Sequence, residues 1–132
     1  MKSQRLCWSL CACIGFLASC ATINATTNQY LGAPHYAPSS PSSVEILRKE
    51  PTRLHERLGE ILVEASTDPS PSVEKVEQKL RAEAGKLGAD AVFVVYDHLQ
   101  PVGAYVSGPW WGGWVQPIIG RALVAVAIKY QS

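Results

Sequence analysis

Val73-Glu-Lys-Val76-Glu-Gln-Lys-Leu80-Arg-Ala-Glu-Ala84-Gly-Lys-Leu87-Gly88 runs straight into Ala89-Asp-Ala91-Val-Phe-Val-Val-Tyr96, and this join decides the fold. Val73, Val76, Leu80, Ala84 and Leu87 recur at the spacing that puts them on one stripe of an α-helix. Glu74, Glu77, Lys79, Arg81 and Glu83 take the outer side, and Glu77 to Arg81 is a favourable i,i+4 pair. Ser70 is placed to cap the helix with Pro71 as its first residue, since proline there loses no needed N–H. Gly88 stands where a left-handed residue ends a helix. Residues 91–96 are apolar at every position, the mark of a strand buried on both faces.

Upstream, Val44-Glu-Ile-Leu47 is a short strand stopped by Arg48-Lys-Glu50 and Pro51. Leu58 to Ala65 alternates: Ile61, Val63 and Ala65 lie on one face and Glu60, Leu62 and Glu64 on the other. Downstream, Ala122 to Lys129 is a further apolar strand. Between the last two lies Val102–Gly120, dense in Gly, Pro and Trp, with Gly112-Gly113 a tight-turn signal. A long hairpin is expected there, with strands near 101–107 and 115–128 and an aromatic tip. The expected fold is α+β: a single small domain over residues 44–132, ordered β-β-α-β-β, its mostly antiparallel sheet carrying one helix on one face.

The start of the chain has a different character. Lys2 and Arg5 precede a mostly apolar run from Leu6 to Ala18 that ends in Leu17-Ala18-Ser19-Cys20. Small residues before a cleavage point are what signal processing needs. Leu17, Ala18, Ser19 and Cys20 resemble the lipobox of bacterial lipoproteins. The resemblance implies that residues 1–19 are removed and that the Cys20 thiol carries a lipid anchor. With Ala21, not Asp, after the cysteine, it points to the bacterial outer membrane, on the periplasmic side. Two other readings share these residues: an ordinary signal peptide with Cys20 unmodified, and an uncleaved anchor helix. About 13 residues at roughly 1.5 Å each reach about 20 Å, short of the roughly 30 Å hydrocarbon core, which disfavours the anchor helix.

Removal of 19 residues from 132 leaves 113, enough for one domain. Cys7, Cys11 and Cys13 leave with the signal, so Cys20 is the last sulfur and no internal disulfide is expected. Removing Lys2 and Arg5 from the 12 basic residues leaves 10 against 11 acidic ones, without a basic stripe. Nucleic acid is therefore not an expected partner. Residues 20–43 are rich in Ser, Thr, Pro and Asn without apolar periodicity, and read as a lipidated cysteine with a flexible tether.

With the elements assembled, the helix end Leu80-Arg-Ala-Glu-Ala84-Gly-Lys-Leu-Gly-Ala-Asp-Ala91, together with Pro51-Thr-Arg53 and Leu58-Gly-Glu-Ile61, resembles YbjQ-like proteins and the Rcs stress-sensor lipoprotein of enteric bacteria. This resemblance implies the small α+β fold and an envelope role in stress sensing. Two departures matter. The Rcs sensor depends on disulfides this chain lacks. The metal-binding label of YbjQ-like proteins finds no support in His35, His55 and His98, which lack ligand spacing; they read as solvated or core-edge residues. No metal or other cofactor is expected.

No Gly-x-Ser-x-Gly, His-Glu-x-x-His or phosphate-cradling loop occurs. Asp90 and Asp97 read as solvated carboxylates, and the chain as a non-enzymatic protein. Its unusual feature is Pro109-Trp110-Trp111-Gly-Gly-Trp114. Trp110, Trp111 and Trp114 either fold back over the sheet or form an interface to protein or lipid. The sheet face away from the helix, roughly 300 Å² carrying Leu62 and alternate residues of 91–96 and 122–128, is apolar enough to need a cover or a use. The partners expected are the membrane through the lipid anchor, and another envelope protein or a second copy. A small-ligand or metal-binding module and a purely structural lipoprotein are the alternatives.

Overall fold

The computed structural model describes residues 20–132. The segment read as a signal peptide, with Leu17, Ala18 and Ser19 of the lipobox resemblance, lies outside the described residues. Five strands and one helix form a single small α+β domain. In chain order they are β1 (Ile23–Gln29), β2 (Glu45–Leu47), β3 (His55–Ser66), α1 (Val73–Lys86), β4 (Ala91–Ser107) and β5 (Trp114–Tyr130). The strands lie in the order β1-β3-β5-β4-β2.

Two features correct the sequence expectation. The sheet is mixed: β1–β3, β3–β5 and β4–β5 pair antiparallel, but β2 lies parallel to β4, with Ile46 opposite Val92. It also has a fifth strand, drawn from the segment read as a tether. Ile23 to Gln29 pairs in unbroken register with Ala65 to Gly59. Its backbone thereby completes the free edge of β3. Ile23 and Ala25 pack on the helix-side core, while Asn24, Thr26 and Asn28 face solvent. Polar outer side chains are how an edge strand avoids pairing with other chains, and they hid this strand among Thr and Asn.

The rest of that segment is tied down as well. The Ser39 amide donates to the Gly85 carbonyl at 2.8 Å, and the Ser39 hydroxyl to the Ala89 carbonyl at 3.0 Å. The approach is close because Gly85 has no side chain: a Cβ there would lie 2.7 Å from the Ser39 oxygen.

α1 is capped by Ser72, whose hydroxyl accepts from the Lys75 amide, two residues later than expected. Pro71 thus precedes the helix. Gly88 takes the left-handed conformation, φ 72°. Val76, Leu80 and Ala84 bury against Ile61, Val63, Val92, Leu123, Ala125 and Ala127, while Val73 stays exposed. Glu83, expected on the outer side, is only 6% exposed. It survives there because Thr27 of β1 donates to it at 3.1 Å and Lys86 at 2.8 Å. Burial pushes its carboxyl up, but these hydrogen bonds outweigh it and hold the group below the usual range. β1 therefore contributes a polar contact to the helix as well as a strand to the sheet.

In an exposed helix, Gly→Ala stabilises by about 1 kcal/mol. Gly85→Ala should do the opposite here, lowering stability by about 1–3 kcal/mol by forcing residues 36–41 off the helix end. Urea denaturation measures this, and a stabilised variant would mean that the segment does not pack as described.

Candidate functional site

The ladder of β4 and β5 continues past the rest of the sheet. β3 ends at Ser66, opposite Gly120, and Gly120 lies opposite Gln100. Beyond that row, Pro101–Ser107 pairs only with Trp114–Ile119. At about 3.3 Å per residue, the seven residues of β4 carry this two-stranded arm about 20 Å beyond the sheet. From Leu99 to Gly120 the chain holds no Asp, Glu, Lys, Arg or His.

Pairing in the arm follows one register after a bulge between Pro101 and Gly103. Ala104 sits opposite Pro117, Val106 opposite Val115, and Ser107 opposite Trp114. Odd-numbered residues of β5 face the helix side of the sheet, as Leu123, Ala125 and Ala127 do. Alternation therefore gives the arm one face of Val115, Pro117, Ile119, Ala104 and Val106. Val106 is 72% and Val115 66% exposed. On the other face Tyr105 donates a hydrogen bond to Gln116.

The tip is the loop 108–113, longer than the two-glycine turn expected. Its left-handed residue is Gly108, φ 118°, and the Gly112 amide donates to the Pro109 carbonyl at 3.0 Å. Trp110 is 93%, Trp111 73% and Trp114 59% exposed. Trp110 and Trp111 stack edge to face with centroids 5.5 Å apart. The indoles do not fold back over the sheet. Their distance from it follows from the arm's own length.

That other sheet face has a different cover. Phe93, Val126 and Ile128 form a second buried cluster with Leu47 and Tyr130 beside it. The Arg57 guanidinium lies over the Phe93 ring, and His55 meets that ring edge-on. Glu50 holds both: its carboxylate accepts from Arg57 and contacts His55 Nε2 at 3.1 Å. The hydrogen bonds from Arg57 and His55 hold the Glu50 carboxyl below its usual range. His55 Nδ1 meets the Arg53 carbonyl at 2.7 Å. Toward the arm, Glu60, Leu62, Glu64 and Val124 are half-buried. The polar strap from the 48–57 segment thus closes the Phe93 end of the apolar patch expected on this face, while Tyr96, opposite Val124, stays exposed.

The other polar groups singled out in the sequence are scattered. His98 lies exposed against the Tyr96 ring, 4.5 Å away. Asp90 and Asp97 are paired, not merely solvated: Asp90 accepts from Lys129 at 2.9 Å, and Asp97 takes both arms of the Arg121 guanidinium, one at 2.6 Å. Among the described residues, no group of three or more His, Cys, Asp or Glu could hold a metal ion. A cleft of about 100 Å³ lies between α1 and the sheet beside Arg121, well below the roughly 300 Å³ of a small-ligand site.

Cys20 is exposed, and its place in the fold was not legible from sequence. The Thr22 carbonyl accepts from the Ser66 amide at 3.0 Å, and the Thr22 amide donates to the Ser66 hydroxyl at 3.0 Å. Thr22 is therefore level with Ser66 and Gly120, the row where the arm leaves the sheet. β1 runs away from that row, so the chain enters the domain at the arm's end.

No family model matches this chain, and no curated protein does. Among solved structures, the Francisella virulence factor FvfA is similar, with a TM-score of 0.52 and 10% sequence identity over 80% of this chain and 97% of that one. At this identity the likeness concerns the fold alone.

Because Trp110, Trp111 and Trp114 are each more than half exposed, changing them together to Ser should move folding stability by no more than about 0.5 kcal/mol. Thermal unfolding of the triple variant checks this. A large loss would mean that the indoles cover part of the core.

Proposed function

We propose that this chain is a lipid-anchored, non-enzymatic protein of the bacterial envelope that works by contact, and that its contact surface is the β4–β5 arm. The observation that carries the proposal is the coincidence of two features at one end of the domain. Cys20, the residue the lipobox resemblance marks for lipidation, precedes by two residues the row from which a charge-free, tryptophan-tipped arm projects. Solvated proteins seldom hold so much apolar surface away from their core without a use for it. An isolated two-stranded ribbon is marginal in water, so an arm of this length is a part made for something it touches. The outer membrane, periplasmic side, is the location the Ala21 pattern favours. The alternative of a small-ligand module is less well supported, because the helix-side cleft is too small and the larger groove is lined by a single stretch, Leu47–Arg53.

Anchoring through Cys20 predicts that the chain made in a Gram-negative host fractionates with membranes and begins at a Cys20 bearing two or three acyl chains. Cys20→Ser should abolish both the acyl chains and the cut before residue 20, leaving residues 1–19 on the chain. Intact-mass measurement and fractionation check this. A membrane-derived chain with an unmodified Cys20 overturns the proposal.

A further inference from the structure

The occupant of the arm follows from where the membrane-directed part of the chain enters the domain. We infer that the arm docks on the bilayer to which Cys20 is fixed, with Trp110, Trp111 and Trp114 seated at the headgroup boundary; this rests on the anchoring proposed above. Residues 1–19, the apolar part of the chain, end at Cys20, and the fold puts that end level with the arm's base. Cys20 is two residues beyond Thr22, at most about 7 Å away along an extended chain, whereas the arm reaches about 20 Å from the same row. An anchor on so short a lead holds the domain against the surface, and the arm is longer than the gap. It must therefore meet the lipid.

Composition agrees with that destination. The absence of charge from Leu99 to Gly120 removes the side chains most costly to bring to a bilayer. Tryptophan and tyrosine prefer the boundary between headgroups and acyl chains, having an apolar ring and a polar N–H or O–H. The tip supplies three such indoles, and Tyr105 stands behind them.

Depth is set by the backbone. Along the arm, no other strand among the described residues pairs with the outer edge of β4 or of β5. Each backbone group carried unpaired into hydrocarbon costs several kcal/mol, more than the apolar side chains return. The ribbon therefore cannot run upright into the acyl region. It leans, so that the indoles enter the boundary while the strand edges keep water and headgroups as partners. Arm and anchor together are two attachments on one side of a rigid domain, and they fix which face looks away from the membrane.

The test uses the acylated chain purified from membranes of a Gram-negative host, in which removal of residues 1–19 takes Trp8 and leaves the three arm indoles as the only tryptophans, reconstituted in vesicles of phosphatidylethanolamine and phosphatidylglycerol. The expected result is a blue-shifted emission, at least halved by lipids brominated high on the acyl chain and at least threefold less quenched by aqueous iodide than that of the same chain unfolded in urea. Protein that floats with the vesicles while iodide quenches it fully overturns docking of the arm and leaves the anchor standing. Indoles shielded from both quenchers point to cover by a second copy, and also overturn it. Protein that does not float overturns the anchor itself. As a second arm, Trp110→Ser with Trp111→Ser should leave flotation intact but raise iodide access to Trp114 at least twofold. Unchanged access contradicts the inference.

Discussion

β5 pairs with β4 from Trp114 to Ile128 but with β3 only from Gly120 to Tyr130. That mismatch in length divides the molecule in two. Where three strands run together, α1 covers one face and the Glu50–His55–Arg57 strap covers the Phe93 end of the other. The buried side chains gather there, though Val95, Tyr96 and Leu99 of β4 stay exposed. Where two run alone there is neither helix nor strap, and apolar residues stand in solvent. The core and the arm are the same two strands, before and after β3 gives out.

The edge of β3 explains the rest. A twelve-residue strand left open on one side would offer its backbone to any neighbour, and β1 closes it with seven residues of its own chain. Thr27 then reaches Glu83 across the helix, and glycines at 85 and 88 let residues 36–41 lie against the helix end. Closing that edge also brings the chain in at the arm's base. The position of Cys20 thus follows from the need to pair β3, without any further constraint.

Much of the core could be read from the sequence. Val76, Leu80 and Ala84 declare themselves because burial repeats at the period of the helix. The unbroken apolar run 91–96, by contrast, is buried at Ala91, Val92 and Phe93 but exposed at Val95 and Tyr96, where a bulge interrupts the ladder. The hairpin was legible through Gly-rich punctuation between two apolar runs. What escaped reading is non-local. β1 has only two apolar side chains and owes its form to hydrogen bonds with a strand thirty to forty-two residues away. β2 lies parallel to β4 through three residue pairs, too few to leave a pattern. Glu83 looks like a surface residue until Thr27 and Lys86 are placed beside it. At the candidate site, Trp110, Trp111 and Trp114 were conspicuous, but their exposure depends on where β3 ends, and residue types do not record that.

The chain's entry and the tryptophan tip share one end of the sheet. Electron spin–spin distances from a label at Gly112 to labels at Thr22 and at Gln29 test this most directly. Strand β1 runs away from the arm, so the Gln29 label should lie about 20 Å farther from Gly112 than the Thr22 label does. Equal distances, or a shorter one to Gln29, would put the entry point at the other end and contradict the account.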